Sequence, residues 1–403
     1  MTENKRLLLV GGGYADIPLI IEAQKLGYYV ISSGNRACDL GHQYADKYVP
    51  ADFSEPEAVL EVAVSNRINA ICPCANDFSA IACSYVAERL GLPGHDAYET
   101  SKLIHHKDAY RQFASANALP TPKAKGFSDL NSARLGVRSF GFPVIVKPVD
   151  LTGGKGITKV NCLADVEDAL AKAFLVSKEK RVIVEEFIEG ERHGFSALIK
   201  SGKVVFYFLD NEEYYLNPYM VSAASAPACV SDAIAHELVK QAETISHKLS
   251  LTDGIFHVQY ILAEQQPIII EICRRPPGDL YIKLVEYATG VNYPMWLVKL
   301  FSGEDCSDIV HQNVKGYFLR HCVMADRNGI VFDVEIAPEV QSNIIDRMMW
   351  WKPGDVVNNY LTQKLGIVFL KFGSMDEMLN RTANMHRFIR PVFSRVDATY
   401  VSE

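Results

Sequence analysis

The sequence lacks any apolar run that could cross a membrane, which takes about 18 consecutive apolar residues. It also lacks an excess of positive charge, because 41 lysines and arginines stand against 48 acidic residues, a formal net charge of -7. We therefore expect neither a membrane nor a nucleic acid as a partner. The apolar run near the N-terminus is short and meets glycines rather than a cleavage site, so it predicts a first buried strand.

Nine cysteines are scattered through the chain, an odd number without the spacing of a disulfide framework. In a chain of this size they predict reduced thiols, and we expect a cytoplasmic protein. Cys72, Cys74 and Cys83 lie near one another in sequence, but no fourth ligand has a suitable spacing. A zinc site is therefore disfavoured.

The length of 403 residues indicates about two or three domains. In the first hundred residues, short apolar runs alternate with helical stretches, which is typical of a doubly wound α/β unit with a parallel sheet. Ligands of such units bind beyond the carboxyl ends of the strands. Residues 11–13, 33–35 and 76–77 all follow predicted strands, so we expect them to meet at one edge.

A glycine triplet follows the first strand, but Ile17 and Pro18 stand where the third glycine of a dinucleotide-binding GxGxxG would be expected. A tight strand-to-helix turn explains the triplet at least as well as dinucleotide binding. From about residue 140 onward the pattern becomes rich in strands, and two hairpins are predicted, the first turning at Ser201 and Gly202.

Three features carry chemistry, and the first is the loop in VIVKPVDLTGGKGITKV, residues 144–160. Lys147 ends a strand, and Gly153, Gly154 and Gly156 form the loop that leads to the next strand. Glycines let backbone N–H groups approach polyphosphate closely, and a lysine supplies a point charge to phosphate oxygens. Because this loop joins two strands and does not open a helix, it is not a P-loop, and we expect a mobile flap.

The second feature is VIVEEFIEGE, residues 182–191, in which an apolar strand runs into carboxylates and an aromatic residue. A purine needs an apolar slot with acceptors for its amine, and a ribose needs a carboxylate for its hydroxyls. The third feature places Gln259 and Glu271 on neighbouring antiparallel strands, where they can share one face. Two oxygen donors near polyphosphate suit Mg²⁺, and Arg275 would neutralise a transferring phosphoryl group.

In this order the three features resemble the ATP-grasp superfamily, and the resemblance spans nearly the whole chain. The similar branch includes the L-amino-acid ligases, the carboxylases of purine synthesis, biotin carboxylase and carbamoyl phosphate synthetase. The fold class implied is α/β and α+β. An N-terminal doubly wound parallel-sheet domain is expected over residues 1–100, a central ATP-grasp domain over 101–305 and a C-terminal strand-rich lobe over 306–403. The ATP-binding subdomain with its flap is expected over about 120–190.

The resemblance also implies which residues bind ATP. Lys107 reaches the nucleotide, Lys147 touches the phosphates and Glu185 faces the adenine amine. The full nucleotide-binding set implied by the resemblance is Lys107, Lys147, Gly153, Gly154, Gly156, Glu185, Phe187, Ile188 and Glu191. Phe187 and Ile188 stand for the hinge whose backbone meets the purine, and Glu191 is the candidate for the ribose.

For catalysis the resemblance implies Mg²⁺, with Mn²⁺ as an alternative ion, held by Gln259 and Glu271. Arg275 matches the arginine that ends the metal-binding strand motif, and Arg274 beside it is expected to hold an anionic substrate. This sequence departs from the family at Cys273, where asparagine is usual, and sulfur is a poor Mg²⁺ ligand. With the neutral Gln259, this leaves open whether one or two ions bind.

ATP-grasp enzymes activate a carboxylate, usually by phosphorylation, and a nucleophile then attacks the acyl phosphate. The main hypothesis is therefore an ATP-dependent carboxylate–amine ligase with small-molecule substrates, an amino acid being one candidate. A carboxylase or carbamoyl-phosphate-synthase-like enzyme that uses bicarbonate is the alternative, and a nucleotide-binding protein with little turnover is the third. Many relatives are dimers, so a second copy of the chain is a candidate partner.

Overall fold

The computed structural model describes residues 5–151 and 153–394. The chain divides into two compact units. The first joins the chain up to Asp210 with Ala228–Asn313, and the second joins Asn211–Pro227 with the chain from Val314 onward. The three-part division into domains stays a prediction.

The described residues form strands and helices in the following order. The strands are β1 Arg6–Val10, β2 Tyr29–Gly34, β3 Lys47–Pro50, β4 Ala70–Pro73, β5 Ala124–Phe127, β6 Val144–Pro148, β7 Thr158–Val160, β8 Val182–Glu186, β9 Glu191–Lys200, β10 Lys203–Tyr214, β11 Val221–Ala226, β12 Gly254–Ala263, β13 Gln266–Cys273, β14 Tyr317–Met324, β15 Gly329–Ile336, β16 Ile344–Met349, β17 Val356–Val357, β18 Lys364–Phe372 and β19 Ile389–Phe393. The helices are α1 Ile17–Lys25, α2 Pro56–Asn66, α3 Asp77–Leu90, α4 Tyr98–His105, α5 Lys107–Ala116, α6 Leu130–Gly136, α7 Val166–Val176, α8 Asp232–Leu249, α9 Tyr281–Thr289, α10 Tyr293–Ser302, α11 Pro338–Gln341, α12 Met375–Thr382 and α13 Met385–Phe388. Among the residues described, no helix combines the length and the apolar character needed to span a membrane.

The first sheet is parallel, with strand order β3-β2-β1-β4, as the alternating pattern predicts. Apolar side chains of β1 and β4, such as Leu8 and Ile71, pack with Val59 and Val86 of the flanking helices α2 and α3. The carboxyl ends of the strands meet at one edge, where Gly11 forms a β-bridge with Ser33. The polar residues that follow these strands therefore lie together, as expected.

The second sheet, with strand order β5-β8-β6-β7, is antiparallel. Val144 and Val146 of β6 join Val182 and Val184 of β8 in a core that includes residues of α6 and α7. Because side chains alternate along a strand, the residues between these valines point to the opposite face. Lys147 and Glu185 belong to that opposite face, and this places them in the candidate site.

The third sheet of the first unit has the order β13-β12-β9-β10. One face of the β12–β13 hairpin packs with Ile234 and Leu238 of α8 through residues such as Phe256 and Val258. By the same alternation Gln259 turns to the other face. The core therefore fixes which side of this sheet carries the polar residues.

The second unit is rich in strands, as expected of the C-terminal part of the chain. The end of β10 pairs with β11, and β14, β18 and β16 follow in that order. A separate three-stranded arrangement has the order β17-β15-β19. The core of the second unit combines Leu319 of β14 and Val368 and Leu370 of β18 with Met378 of α12. The expected fold class, α/β followed by α+β, is confirmed.

Candidate active site

Gln259 and Glu271 are direct partners across the antiparallel pair of β12 and β13. The expectation that they share one face is therefore met. A carboxylate oxygen of Glu271 lies 2.9 Å from the ammonium of Lys107, the first residue of α5. Burial alone would lower the pKa of Lys107, but Glu271 and Asp77 outweigh this effect and raise it above the ordinary value.

Lys107 connects this carboxylate to the base of the glycine loop. Its ammonium also donates to the carbonyl oxygen of Leu151 at 2.7 Å, and its backbone N–H donates to the carbonyl of Val149 at 3.2 Å. One cation thus spans the metal-ligand candidate Glu271 and the first residues of the loop. The position of the Lys107 ammonium, between Glu271 and the loop, agrees with the expectation that this residue reaches the nucleotide.

Glu185 lies at the centre of a second buried charge cluster. Its two carboxylate oxygens lie 2.8 Å from the ammonium of Lys147 and 3.0 Å from Nε of Arg111. All three residues are buried. Burial would raise the pKa of Glu185, but Arg111 and Lys147 outweigh it and lower the pKa. Burial lowers the pKa of Lys147, and Glu185 opposes this shift.

Arg111 is a site residue that sequence reasoning missed. It also donates to the carbonyl oxygen of Ile270, the residue before Glu271, and so connects the two charge clusters. The available signal was spacing: Arg111 is four residues after Lys107 on one helix, and residues at that spacing share a face.

The glycine loop joins two strands, β6 and β7, as predicted, and the structure shows that these strands pair antiparallel. Gly153, Gly154 and Gly156 have φ angles of 67°, 74° and 72°, in the left-handed region that glycine adopts without a steric penalty. Thr152 of the same loop lies outside the described residues. The run of such glycines presents backbone rather than side chains at this position.

Phe187 and Ile188 follow β8, where a purine hinge is expected. The backbone N–H of Phe187 donates to the carbonyl of Pro143 at 3.2 Å, and the ammonium of Lys159 lies 3.6 Å from the centre of the Phe187 ring. Glu191 opens β9 with its side chain 75% exposed, 3.6 Å from His193. Its carboxylate is therefore accessible, as a contact to a ribose requires.

Arg275 follows β13 and is nearly buried. Its Nε donates to Asp77 at 2.9 Å, and Nη1 donates to the carbonyl of Pro276 at 3.1 Å. Within residues 5–151 and 153–394, Nη2 makes no hydrogen bond. The remaining N–H groups of this guanidinium are thus the ones left for a bound anion.

Arg274 has a different environment. Its guanidinium donates to Asp96 at 2.7 and 3.2 Å, to the carbonyl of Thr252 at 2.6 Å and to the carbonyl of Ile255. These bonds use most of its five N–H donors inside the protein. The expectation that Arg274 holds an anionic substrate therefore finds no support in its contacts, which favour a structural role.

Known proteins show what this arrangement is similar to. The family model of the phosphoribosylglycinamide synthetase ATP-grasp (A) domain matches residues 105–214. A formate-dependent phosphoribosylglycinamide formyltransferase from Prochlorococcus marinus (strain MIT 9303) is 28% identical over 293 residues, 70% of this chain and 72% of that protein. The enzyme of the same name from Rhodococcus jostii (strain RHA1) is 26% identical over 278 residues, 67% of this chain and 69% of that protein.

Solved structures share the fold over almost the whole chain. An L-amino acid ligase from Bacillus licheniformis superposes with a TM-score of 0.80 at 18% identity, covering 98% of this chain and all of that one. N5-carboxyaminoimidazole ribonucleotide synthetase from Thermotoga maritima gives a TM-score of 0.74 at 18% identity, covering 97% of this chain and all of that one. The matched domain model, the relatives and the solved structures together support an ATP-grasp superfamily enzyme. They support chemistry of the ATP-dependent carboxylate–amine ligase type in general.

The donor set around Glu271 fits one Mg²⁺ ion. Glu271 and Gln259 offer a carboxylate and an amide oxygen on one rung of the hairpin, and Mg²⁺ commonly takes one or two protein ligands beside phosphates and water. Cys273 does not extend this set, because burial raises the pKa of its thiol well above the ordinary value and keeps it neutral. A second ion would find fewer suitable donors here.

Gly156→Ala is expected to lower ATP turnover by about tenfold or more, because a side chain cannot be accommodated at the loop base. An added Cβ would lie 2.7 Å from Val176 and 2.8 Å from Pro148, and φ is in the left-handed region. Steady-state phosphate release from Mg-ATP measures the effect. Gly141→Ala is the control, since nothing lies within 4 Å of its Cβ position. Equal activity of both variants would contradict a requirement for this loop geometry.

Proposed function

We propose that this protein is a ligase that activates a small carboxylate with ATP and joins it to an amine, releasing ADP and phosphate. The observation that carries the proposal is the connection of two charge clusters through one helix. Lys107 and Arg111, four residues apart on α5, reach Glu271 and Glu185 respectively. Around a triphosphate this arrangement would supply cations, a metal site and a glycine loop together.

The proposed nucleotide contacts follow from these positions. Lys147 and Lys107 would bind phosphate oxygens, with the N–H groups of the loop at Gly153, Gly154 and Gly156. Glu185 would keep Lys147 oriented and face the adenine amine. Phe187 and Ile188 would meet the purine, and Glu191 would accept from the ribose hydroxyls.

The proposed chemistry takes two steps. A carboxylate oxygen of the substrate attacks the γ-phosphorus, the bond to ADP breaks, and an acyl phosphate forms. The amine nitrogen then attacks the acyl carbon, phosphate leaves, and the amine gives up a proton. Gln259 and Glu271 would hold Mg²⁺, which when bound neutralises phosphate charge. Arg275 would contribute a further fixed positive charge, and loop closure would exclude water from the acyl phosphate.

The relatives suggest where to begin with substrates. Their names specify formate as the carboxylate source and phosphoribosylglycinamide as the acceptor, and the fold is shared with an L-amino acid ligase. We therefore propose formate and amino acids as the first carboxylates to test. Phosphoribosylglycinamide and amino acids are the first amines.

Phosphate release from Mg-ATP tests the proposal. Formate with phosphoribosylglycinamide, pools of amino acids, and bicarbonate are added separately to the full chain. Stimulation that needs both a carboxylate and an amine, with the condensed product seen by mass spectrometry, is the expected result. Stimulation by bicarbonate alone would replace the proposal with the carboxylase alternative. ATP binding without turnover in any mixture would favour a nucleotide-binding protein.

A further inference from the structure

Asp77 lies at the start of α3, directly after the edge where the parallel strands of the first sheet end. It is the first residue of the helix, and the Asn76 side chain caps that helix by accepting from the N–H of Phe78. Only 4% of Asp77 is exposed. A buried carboxylate is costly unless it is paired, so its partners identify its role.

Those partners belong to the candidate active site. The same carboxylate oxygen of Asp77 accepts from Nε of Arg275 at 2.9 Å and lies 3.2 Å from Nδ1 of His105. Burial would raise the pKa of Asp77, but Arg275, His105 and Lys107 outweigh it and hold the pKa far below its ordinary value. Asp77 is therefore a fixed negative charge beside this arginine.

His105 lies beside Asp77, and its ring also contacts the backbone of Arg274. Its Nε2 accepts from the backbone N–H of Arg274 at 3.4 Å. Nδ1, the other ring nitrogen, is the atom that faces Asp77. The ring thus lies between the Asp77 carboxylate and the backbone of Arg274, the residue that precedes Arg275.

The pairing determines how the guanidinium of Arg275 is oriented. A guanidinium is planar, so two anchored N–H groups fix the direction of the others. Here Nε is anchored by Asp77 and Nη1 by the Pro276 carbonyl, while Nη2 remains for another partner. A shift of about 1 Å in a group that stabilises a transition state can cost about 100-fold in rate.

We propose that Asp77 is a positioning residue for Arg275, so that the N-terminal α/β part of the chain sets the geometry of phosphoryl transfer. This inference rests on the proposed function. It gives the first sheet a part in the chemistry in addition to any part in holding a substrate. Asp77 touches neither ATP nor substrate in this role, and it acts only through the arginine.

The test is a double-mutant cycle of Asp77→Asn and Arg275→Lys, measured by phosphate release from Mg-ATP with the substrate mixtures above. Asp77→Asn is expected to lower kcat by about 10- to 100-fold while KM for ATP changes by less than about twofold. In the Arg275→Lys background, which lacks Nε, the same change is expected to cost little more. Asp77→Glu, which keeps the charge, should recover part of kcat.

Two further measurements separate positioning from folding. The first is thermal unfolding of Asp77→Asn. Glu61→Gln, which changes an exposed acid of α2, is the matched control for thermal unfolding and for kcat. The Nε–H resonance of Arg275 in ¹⁵N NMR should shift in Asp77→Asn and return towards its original position in Asp77→Glu.

The outcomes are distinct. Wild-type kcat in Asp77→Asn, or losses that simply add in the double variant, would overturn the positioning role while leaving the ligase proposal standing. A wild-type enzyme that no substrate mixture stimulates would overturn the ligase proposal and the role together. The NMR signal would still report the pair in that case.

Discussion

Replacing Glu271 with alanine is expected to lower ATP turnover by about 100-fold or more while ATP still binds. The carboxylate is the only charged member of the rung that it forms with Gln259, so its removal leaves a neutral amide to hold Mg²⁺. It also removes the partner of Lys107, which lies 2.9 Å away. The measurements are the Mg²⁺ dependence of phosphate release and the affinity for ATP in the same variant.

Glu271→Gln separates these two effects. Its amide oxygen can still accept from Lys107, but the negative charge that attracts the metal ion is gone. We expect turnover to fall almost as far as in the alanine variant, with a higher Mg²⁺ concentration needed for half-maximal rate. Glu264→Ala, at the exposed turn of the same hairpin, is the control. Turnover in Glu271→Ala equal to that of the control would refute the metal assignment.

The parts of the site that follow from local pattern could be predicted from the sequence. Alternation along two neighbouring antiparallel strands predicts that Gln259 and Glu271 share one face, and the structure adds that they are direct partners. The glycine loop between β6 and β7 was equally readable, since left-handed φ angles need glycine. The roles of these residues in binding ATP remain predictions.

Partnerships over long sequence distances could not be predicted. Arg274 and Arg275 are adjacent and chemically alike, yet one pairs with Asp96 and the other with Asp77. The partner of Arg274 lies 178 positions away, and nothing in the local pattern identifies it. The side chains of these two successive residues contact different parts of the fold. Only the folded structure therefore shows which arginine has a structural role. For Arg111 the spacing from Lys107 indicates a shared helix face, but its partner Glu185 belongs to another element and could not be predicted.

Glu185→Gln is expected to lower the free energy of unfolding by about 3–5 kcal/mol, the largest stability effect among the changes considered. The variant leaves the buried cations of Lys147 and Arg111 facing a neutral amide, where each was within 3.0 Å of a carboxylate oxygen. Urea-induced unfolding followed by tryptophan fluorescence measures the change. Adding Arg111→Met should restore much of the loss, because one of the two uncompensated cations is then replaced by an apolar chain of similar length.

The same carboxylate predicts a pH dependence with a definite sign. The folded-state pKa of Glu185 is lowered, since Arg111 and Lys147 outweigh burial, so its stabilising effect is present above the ordinary value of 4.5. That effect is lost as the pH falls below this value and through the folded-state pKa. The difference in unfolding free energy between wild type and Glu185→Gln should therefore shrink as the pH falls below 4.5.

Glu186→Gln, at the next residue, is the control for Glu185→Gln. It keeps an oxygen for the N–H of Lys123 and should lower the free energy of unfolding by less than about 1 kcal/mol. If both variants unfold at the same urea concentration, the buried cluster does not stabilise the fold in this way.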